Sequence, residues 1–224
     1  MKMPWAMLAL LPLIGGCAGE PFAAEPLPLL NHPNPAVLRD QFAATVPDRF
    51  ISDDTVIIRA LLQRDWAVLG VLRVDRPAGT FELAGLNHLG VKLFDLYGNS
   101  RGTTVRFALP PLTKNPDVLP AIGQDIRRMY FDLVPGPRAV VRIHPRDVTF
   151  TQKTPGGRLV WEFGGQRGVL LEKRLIGFFG TVWRVRYYQY QSQEANLYPA
   201  GIVMENNQFF YRIIVKNRDR EIQR

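Results

Sequence analysis

From about residue 48 onward, apolar and polar residues follow one another in short runs rich in β-branched and aromatic side chains, broken by Gly, Pro, Asn and Asp. Such punctuation marks strands and turns. It places strands near 50 to 62, 66 to 75, 79 to 86, 90 to 97, 103 to 109, 138 to 150, 158 to 164, 168 to 176, 181 to 191, 198 to 205 and 208 to 217. Turns fall at Asp75-Arg76-Pro77-Ala78-Gly79, Gly98-Asn99, Pro155-Gly156-Gly157, Gly164-Gly165 and Asn206-Asn207. These connections are too short for crossover helices, so neighbouring strands are expected to run antiparallel. One segment interrupts the series. Over 117 to 133, Leu119, Ile122, Ile126, Met129 or Tyr130 and Leu133 recur at helical spacing, while Asp125, Arg127, Arg128 and Asp132 fall largely elsewhere on the wheel. A short helix is also signalled earlier, where Asn34-Pro35 supplies a cap and a first-position proline before Val37, Leu38 and Phe42. A helix with one apolar stripe needs a sheet face to cover. The expected architecture is therefore mainly β, a curved antiparallel unclosed β-barrel of about 11 strands with a helix over its concave face.

Alternation within the strands refines this picture. In 66 to 75, Trp66, Val68, Leu72 and Val74 share one face while Ala67, Leu69 and Val71 share the other; in 158 to 164, Leu159, Trp161 and Phe163 oppose Arg158 and Glu162. Apolarity on both faces fits either a closely covered sheet or a hollow whose ligand completes the burial. Candidate lining residues for such a hollow are Trp66, Val68, Leu72, Phe81, Leu83, Ile122, Ile126 and Met129.

The N-terminus carries Lys2 and an apolar run from Trp5 to Ile14, too short to span a bilayer. Ile14-Gly15-Gly16-Cys17 follows, and it resembles the lipobox of bacterial lipoproteins. That resemblance implies a signal peptide over 1–16, a diacylglyceryl lipid on Cys17 and tethering to a membrane facing the periplasm. Ala18 is not the aspartate that retains many lipoproteins in the inner membrane, so the outer membrane is the expected site. Residues 17–33, rich in proline, read as a linker, and 34–224 as a single domain. Using the only cysteine this way leaves no disulfide, thiolate nucleophile or Cys-based zinc site. The net charge of +8 invites a nucleic-acid partner. Location argues against it, leaving anionic headgroups or a solvated surface to account for the charge.

Reactive groups are few. His32 falls in the linker, His88 in a turn and His144 beside Pro145; Asp53-Asp54 reads as a solvated turn, and His144 with Asp147 as a coincidence of spacing. No HExxH, GxSxG, P-loop or metal-ligand cluster occurs, so neither a catalytic residue, a metal nor a cofactor is expected.

Leu86-Asn87-His88-Leu89-Gly90 resembles the Asn-Pro-Leu-Gly loop of the LolB family of outer-membrane lipoprotein receptors, with His88 where that family has proline. The helix at 117–133 stands where the family has its plug, and Trp183–Tyr187 followed by Pro199–Met204 resembles its late strand pair. The resemblance implies a cavity for acyl chains and a membrane-insertion role for Leu89, with Leu86 nearby. A second resemblance is to uncharacterised LolB-like lipoproteins encoded beside fatty-acid or aryl-polyene biosynthesis genes, which would substitute a specialised lipid or polyene for general cargo. The expected function is binding or transfer of lipid, lipoprotein acyl chains or a related product, the partners being membrane lipid and a hydrophobic ligand or a lipoprotein delivered by a periplasmic carrier. A structural lipoprotein of an envelope complex and an envelope-lipid hydrolase or transferase are the alternatives.

Overall fold

The computed structural model describes residues 21–30, 33–60 and 65–223. Its elements are α1 (Pro35–Thr45), β1 (Arg49–Ala60), β2 (Trp66–Asp75), β3 (Thr80–Leu86), β4 (Lys92–Asn99), β5 (Gly102–Ala108), α2 (Pro110–Thr113), α3 (Val118–Tyr130), β6 (Val140–Ile143), β7 (Asp147–Thr154), β8 (Gly157–Gly164), β9 (Val169–Gly177), β10 (Gly180–Gln193), β11 (Asn196–Asn206) and β12 (Tyr211–Gln223). The strands form one 12-stranded sheet in the order β5-β4-β3-β2-β1-β12-β11-β10-β9-β8-β7-β6, antiparallel throughout. Every neighbour is consecutive in sequence except the pair β1 and β12. The sheet is therefore a meander joined at its middle by the first and last strands. It stays open between β5 and β6, and the chain linking these two edges contains α3.

Period-2 burial assigns the inner face. Phe50, Leu72, Val74, Leu83 and Leu96 point inward from the first strands and meet Trp161, Phe163, Val185, Ile202, Met204 and Val215 from the later ones in one core. The outer residues of β2 expected to need a cover are solvent-facing, Val71 among them. Apolarity on both faces is thus no sign of a second covering layer here. The outer face of β8 to β12 carries linked charges instead: Arg174 bridges Glu162 and Glu172, and Arg184, Arg186 and Arg212 converge on Glu205.

Three local expectations need correction. The expected strand over 138–150 is two strands, because Pro145 cannot donate to the ladder and the chain turns there, the His144 amide donating to the Asp147 carbonyl at 2.8 Å. This split brings the count from about 11 to 12. Residues 208–210 belong to a turn, with β12 beginning at Tyr211. Asp53-Asp54 is no turn but a register shift inside β1, and Asp54 is buried.

Asn34 caps α1 as expected, its side chain accepting from the amides of Ala36 and Val37. Phe42 then packs edge-on against Phe163, centroids 5.2 Å apart. The preceding linker is not free over its whole length: the Phe22 ring lies 5.6 Å from that of Tyr188, and the Leu30 amide bonds the Pro145 carbonyl at 2.8 Å. The expected signal peptide, Cys17 and His32 lie outside the described residues.

Candidate ligand-binding cavity

Helix α3 lies across the concave face and is held very differently at its two ends. At its C-terminus the unpaired carbonyls, which every helix leaves over its last turn, are met by side chains from the sheet. Tyr187 Oη donates to Met129 O at 2.9 Å, Arg76 Nε to Tyr130 O at 2.8 Å, Lys173 Nζ to Phe131 O at 2.6 Å and Trp161 Nε1 to Asp132 O at 2.8 Å. Arg76 among these donors is cationic, which suits the negative end of the helix dipole. At the N-terminus Asp117 makes no side-chain cap, and Val118 is exposed. Between the ends, Gly123 allows close approach to Thr103 of β5. The helix is hooked at one end and merely rests on the sheet at the other.

Beneath it is an almost wholly apolar hollow of about 40 Å³, walled by Val68, Leu72 and Leu83 from the sheet and Ile122, Ile126 and Met129 from the helix. Ile58, Ile122, Asp125 and Ile213 continue it into a wider mouth of about 310 Å³, completed by Ala60, Trp66, Val118, Ala121 and Tyr211. The mouth opens at the end of the sheet where β1 passes to β2, beside the free N-terminus of α3. Gly70 helps keep the hollow open by presenting no side chain to it, whereas the space above Gly85 is filled by the Phe94 ring. Its closed part has room for only a few water-sized molecules. The mouth reaches the lower range of ligand pockets, about 300–1,000 Å³.

Two carboxyl groups face this apolar space. Asp54 accepts from Ser52 Oγ at 3.0 Å and Asn217 Nδ2 at 2.9 Å; Asp125 accepts from Tyr211 Oη at 2.5 Å and Arg128 at 2.8 Å. Burial raises the pKa of both above the usual carboxylate value. Lys173, buried under α3, is shifted the other way, its pKa pulled down to about 7 by burial. Among the described residues no three His, Cys, Asp or Glu side chains gather as a metal would require, and no helix is long and apolar enough to cross a membrane.

Of the candidate lining residues, Val68, Leu72, Leu83, Ile126 and Met129 wall the hollow, Ile122 lies at its junction with the mouth and Trp66 at the rim. Phe81 lies elsewhere: its ring fills the space above Gly98 on the neighbouring strand, where a side chain would clash. Asp125, expected on the outer side of the helix, is buried. It stands three residues after Ile122 and four before Met129, which puts it at the edge of the apolar stripe, a spacing that could have placed it inward. Leu89 is 75% exposed in the β3–β4 loop, where the Asn87 side chain accepts from the amides of Leu89 and Val91. Leu86 is only partly buried and belongs to β3 rather than to the loop tip. His88 shares that loop, and His144 lies in the β6–β7 turn.

No protein-family model matches the chain, and no curated protein matches it. Solved structures do. A LolA superfamily protein from Nitrosomonas europaea superposes with a TM-score of 0.57 at 8% identity, over 84% of this chain and 93% of that one. An outer membrane lipoprotein-sorting protein domain from Vibrio parahaemolyticus gives 0.56 at 11% identity, over 84% and 91%. A DUF1329 family protein from Desulfovibrio piger gives 0.52 at 9% identity, over 84% and 91%. At such identities the likeness concerns the fold, which is LolA/LolB-like.

Proposed function

We propose that this protein is a non-catalytic, lipid-anchored lipoprotein of the outer membrane's periplasmic face that takes an acyl chain, or a related hydrophobic product such as a polyene, into the space beneath α3. The observation that carries this reading is the apolar hollow continuing into an open mouth under a helix secured at only one end. Lifting the N-terminal half of α3 would enlarge the hollow while the C-terminal bonds remain intact. The lipoprotein-sorting designation of the Vibrio neighbour supports the same class of ligand. Cys17 carries the lipid in this reading. It stands five residues before Phe22, a span of at most roughly 18 Å, so the docked linker keeps the domain close to the bilayer. Leu89, in the loop at the mouth end, touches that membrane.

Chain lacking residues 1–17 should bind a fluorescent fatty acid saturably, and Ile122→Trp, which fills the junction of hollow and mouth, should abolish binding. Absence of saturable binding would favour a scaffold with a solid core. Fatty-acid labelling of the full chain in cells should be lost in Cys17→Ala; equal labelling of both forms would remove the tether.

A further inference from the structure

Two pairs of phenylalanines stand at the same end of the sheet as the mouth. β9 and β10 are joined by Phe178 and Phe179, which are 96% and 100% exposed. The next hairpin along this end, between β11 and β12, turns through Phe209 and Phe210, 62% and 68% exposed. The hairpins are braced to one another, the Asn207 amide donating to Val182 O at 2.9 Å and its Nδ2 to Thr181 O at 2.8 Å. Register fixes their place: Ala60 pairs with Tyr211, Asn206 with Trp183 and Gly177 with Gly180, so both tips project beyond the row that contributes Ala60 and Tyr211 to the mouth. The loop bearing Leu89 and Val91 is at this end too, because Leu86 pairs with Leu69.

A two-residue hairpin turn ordinarily uses Gly, Asn or Asp. Phe178-Phe179 meets no such backbone need and leaves both rings in water, so the fold itself does not account for it. Cations flank the tips. Lys153 and Arg158 pair across the β7–β8 hairpin at the same end, and with Arg138 they line an outer-face groove of about 770 Å³. None of these three has an acidic partner among the described residues.

We propose that this end of the sheet is a membrane-docking surface, in which Phe178, Phe179, Phe209 and Phe210 enter the interfacial layer of a bilayer and Lys153, Arg158 and Arg138 meet anionic phospholipid headgroups. Aromatic and basic side chains together are the combination that interfacial binding uses. An acyl chain then passes between bilayer and mouth without crossing bulk water. The lipid-handling reading gives this surface its purpose, whereas the docking stands or falls separately.

The chain has one cysteine, Cys17, so a second placed at Gln208, beside the tips, or at Ser100, in the β4–β5 turn at the opposite end, can carry an environment-sensitive thiol dye. The parent chain sets the background. Full chain is mixed with phosphatidylcholine vesicles with or without phosphatidylglycerol. The Gln208 dye should move to an apolar environment and be quenched by lipids bearing a quencher in the acyl chain, while the Ser100 dye stays aqueous. Phosphatidylglycerol should lower the lipid concentration at half-effect at least tenfold, and Lys153→Gln with Arg158→Gln should remove that preference. Serine at all four phenylalanines should abolish quenching yet leave fatty-acid binding in solution within twofold. An aqueous Gln208 dye on every vesicle, equal shifts at Gln208 and Ser100, or quenching that survives the four serines would overturn the proposal. A Gln208 shift that requires a protein partner and no vesicles would overturn it in favour of a protein interface. Docking without fatty-acid binding would overturn the cavity reading and leave this surface standing.

Discussion

Replacing Gly123 with Ala tests whether α3 opens at the mouth. A Cβ at this position would stand 2.7 Å from Thr103 Cγ2 and 2.8 Å from Thr103 Cβ. Rotating the threonine side chain cannot relieve the contact with its own Cβ, so helix and strand must separate by at least roughly 0.7 Å to restore an ordinary carbon–carbon distance. Overpacking of this kind costs about 1–3 kcal/mol. For a domain of this size that lowers Tm by roughly 2–12 °C. The side-chain bonds from Tyr187, Arg76, Lys173 and Trp161 hold the C-terminal end, which leaves the uncapped half beside Val118 and Ile122 to move. Calorimetry should therefore show the loss of Tm, and stopped-flow mixing with a fluorescent fatty acid should show uptake several-fold faster. Adding Thr103→Gly removes the clash and should restore the slow uptake and most of the Tm, a coupling expected of residues in contact. Unchanged Tm in Gly123→Ala would refute the packing described for α3. Lowered Tm with unaltered uptake would refute its role as a lid.

Lys173 gives a pH dependence. Its pKa in the folded chain is pulled down to about 7 from an ordinary 10.5, so between these values the unfolded chain binds a proton that the folded chain does not. Stability should rise with pH across that window, by up to about 1.4 kcal/mol per pH unit, and denaturant melts of Lys173→Met should show the rise flattened. Asp125 behaves oppositely: its folded pKa is raised by burial, and the stability this confers at acid pH is lost as pH rises through that folded value. Asp125→Asn should melt a few degrees higher than wild type at pH 7, with the gap shrinking in acid; a lower melting point at pH 7 would mean that the bonds from Tyr211 and Arg128 outweigh the burial. Leu89→Glu should leave Tm unchanged and slow transfer of a fluorescent acyl ligand to liposomes, and a large loss of Tm would place Leu89 in the core instead.

Elements whose causes are local are legible in the sequence. The cap at Asn34, the stripe through Ile122, Ile126 and Met129, and the two-residue alternation of β2 are each set within a few residues by backbone geometry and side-chain period. Equally legible is a helix interrupting an antiparallel series of strands, since short connections permit no other pairing. Features that depend on distant partners emerge only in the folded chain. The pairing of β1 with β12 joins strands about 150–175 residues apart by a register that no local pattern encodes. The strand expected over 138 to 150 ran straight through Pro145; that the chain divides there into two strands depended on the turn between His144 and Asp147. Phe81 and Leu83 share one face of β3, but only the facing Gly98 draws the Phe81 ring away from the cavity that Leu83 lines. Asp125 could be placed inward from its spacing, though its tolerance of burial required Tyr211, 86 residues away. Phe178-Phe179 and Phe209-Phe210 could each be read as apolar turns. Their placement together beside the mouth came from the sheet register, because only strand pairing brings separate hairpins to one edge of a fold.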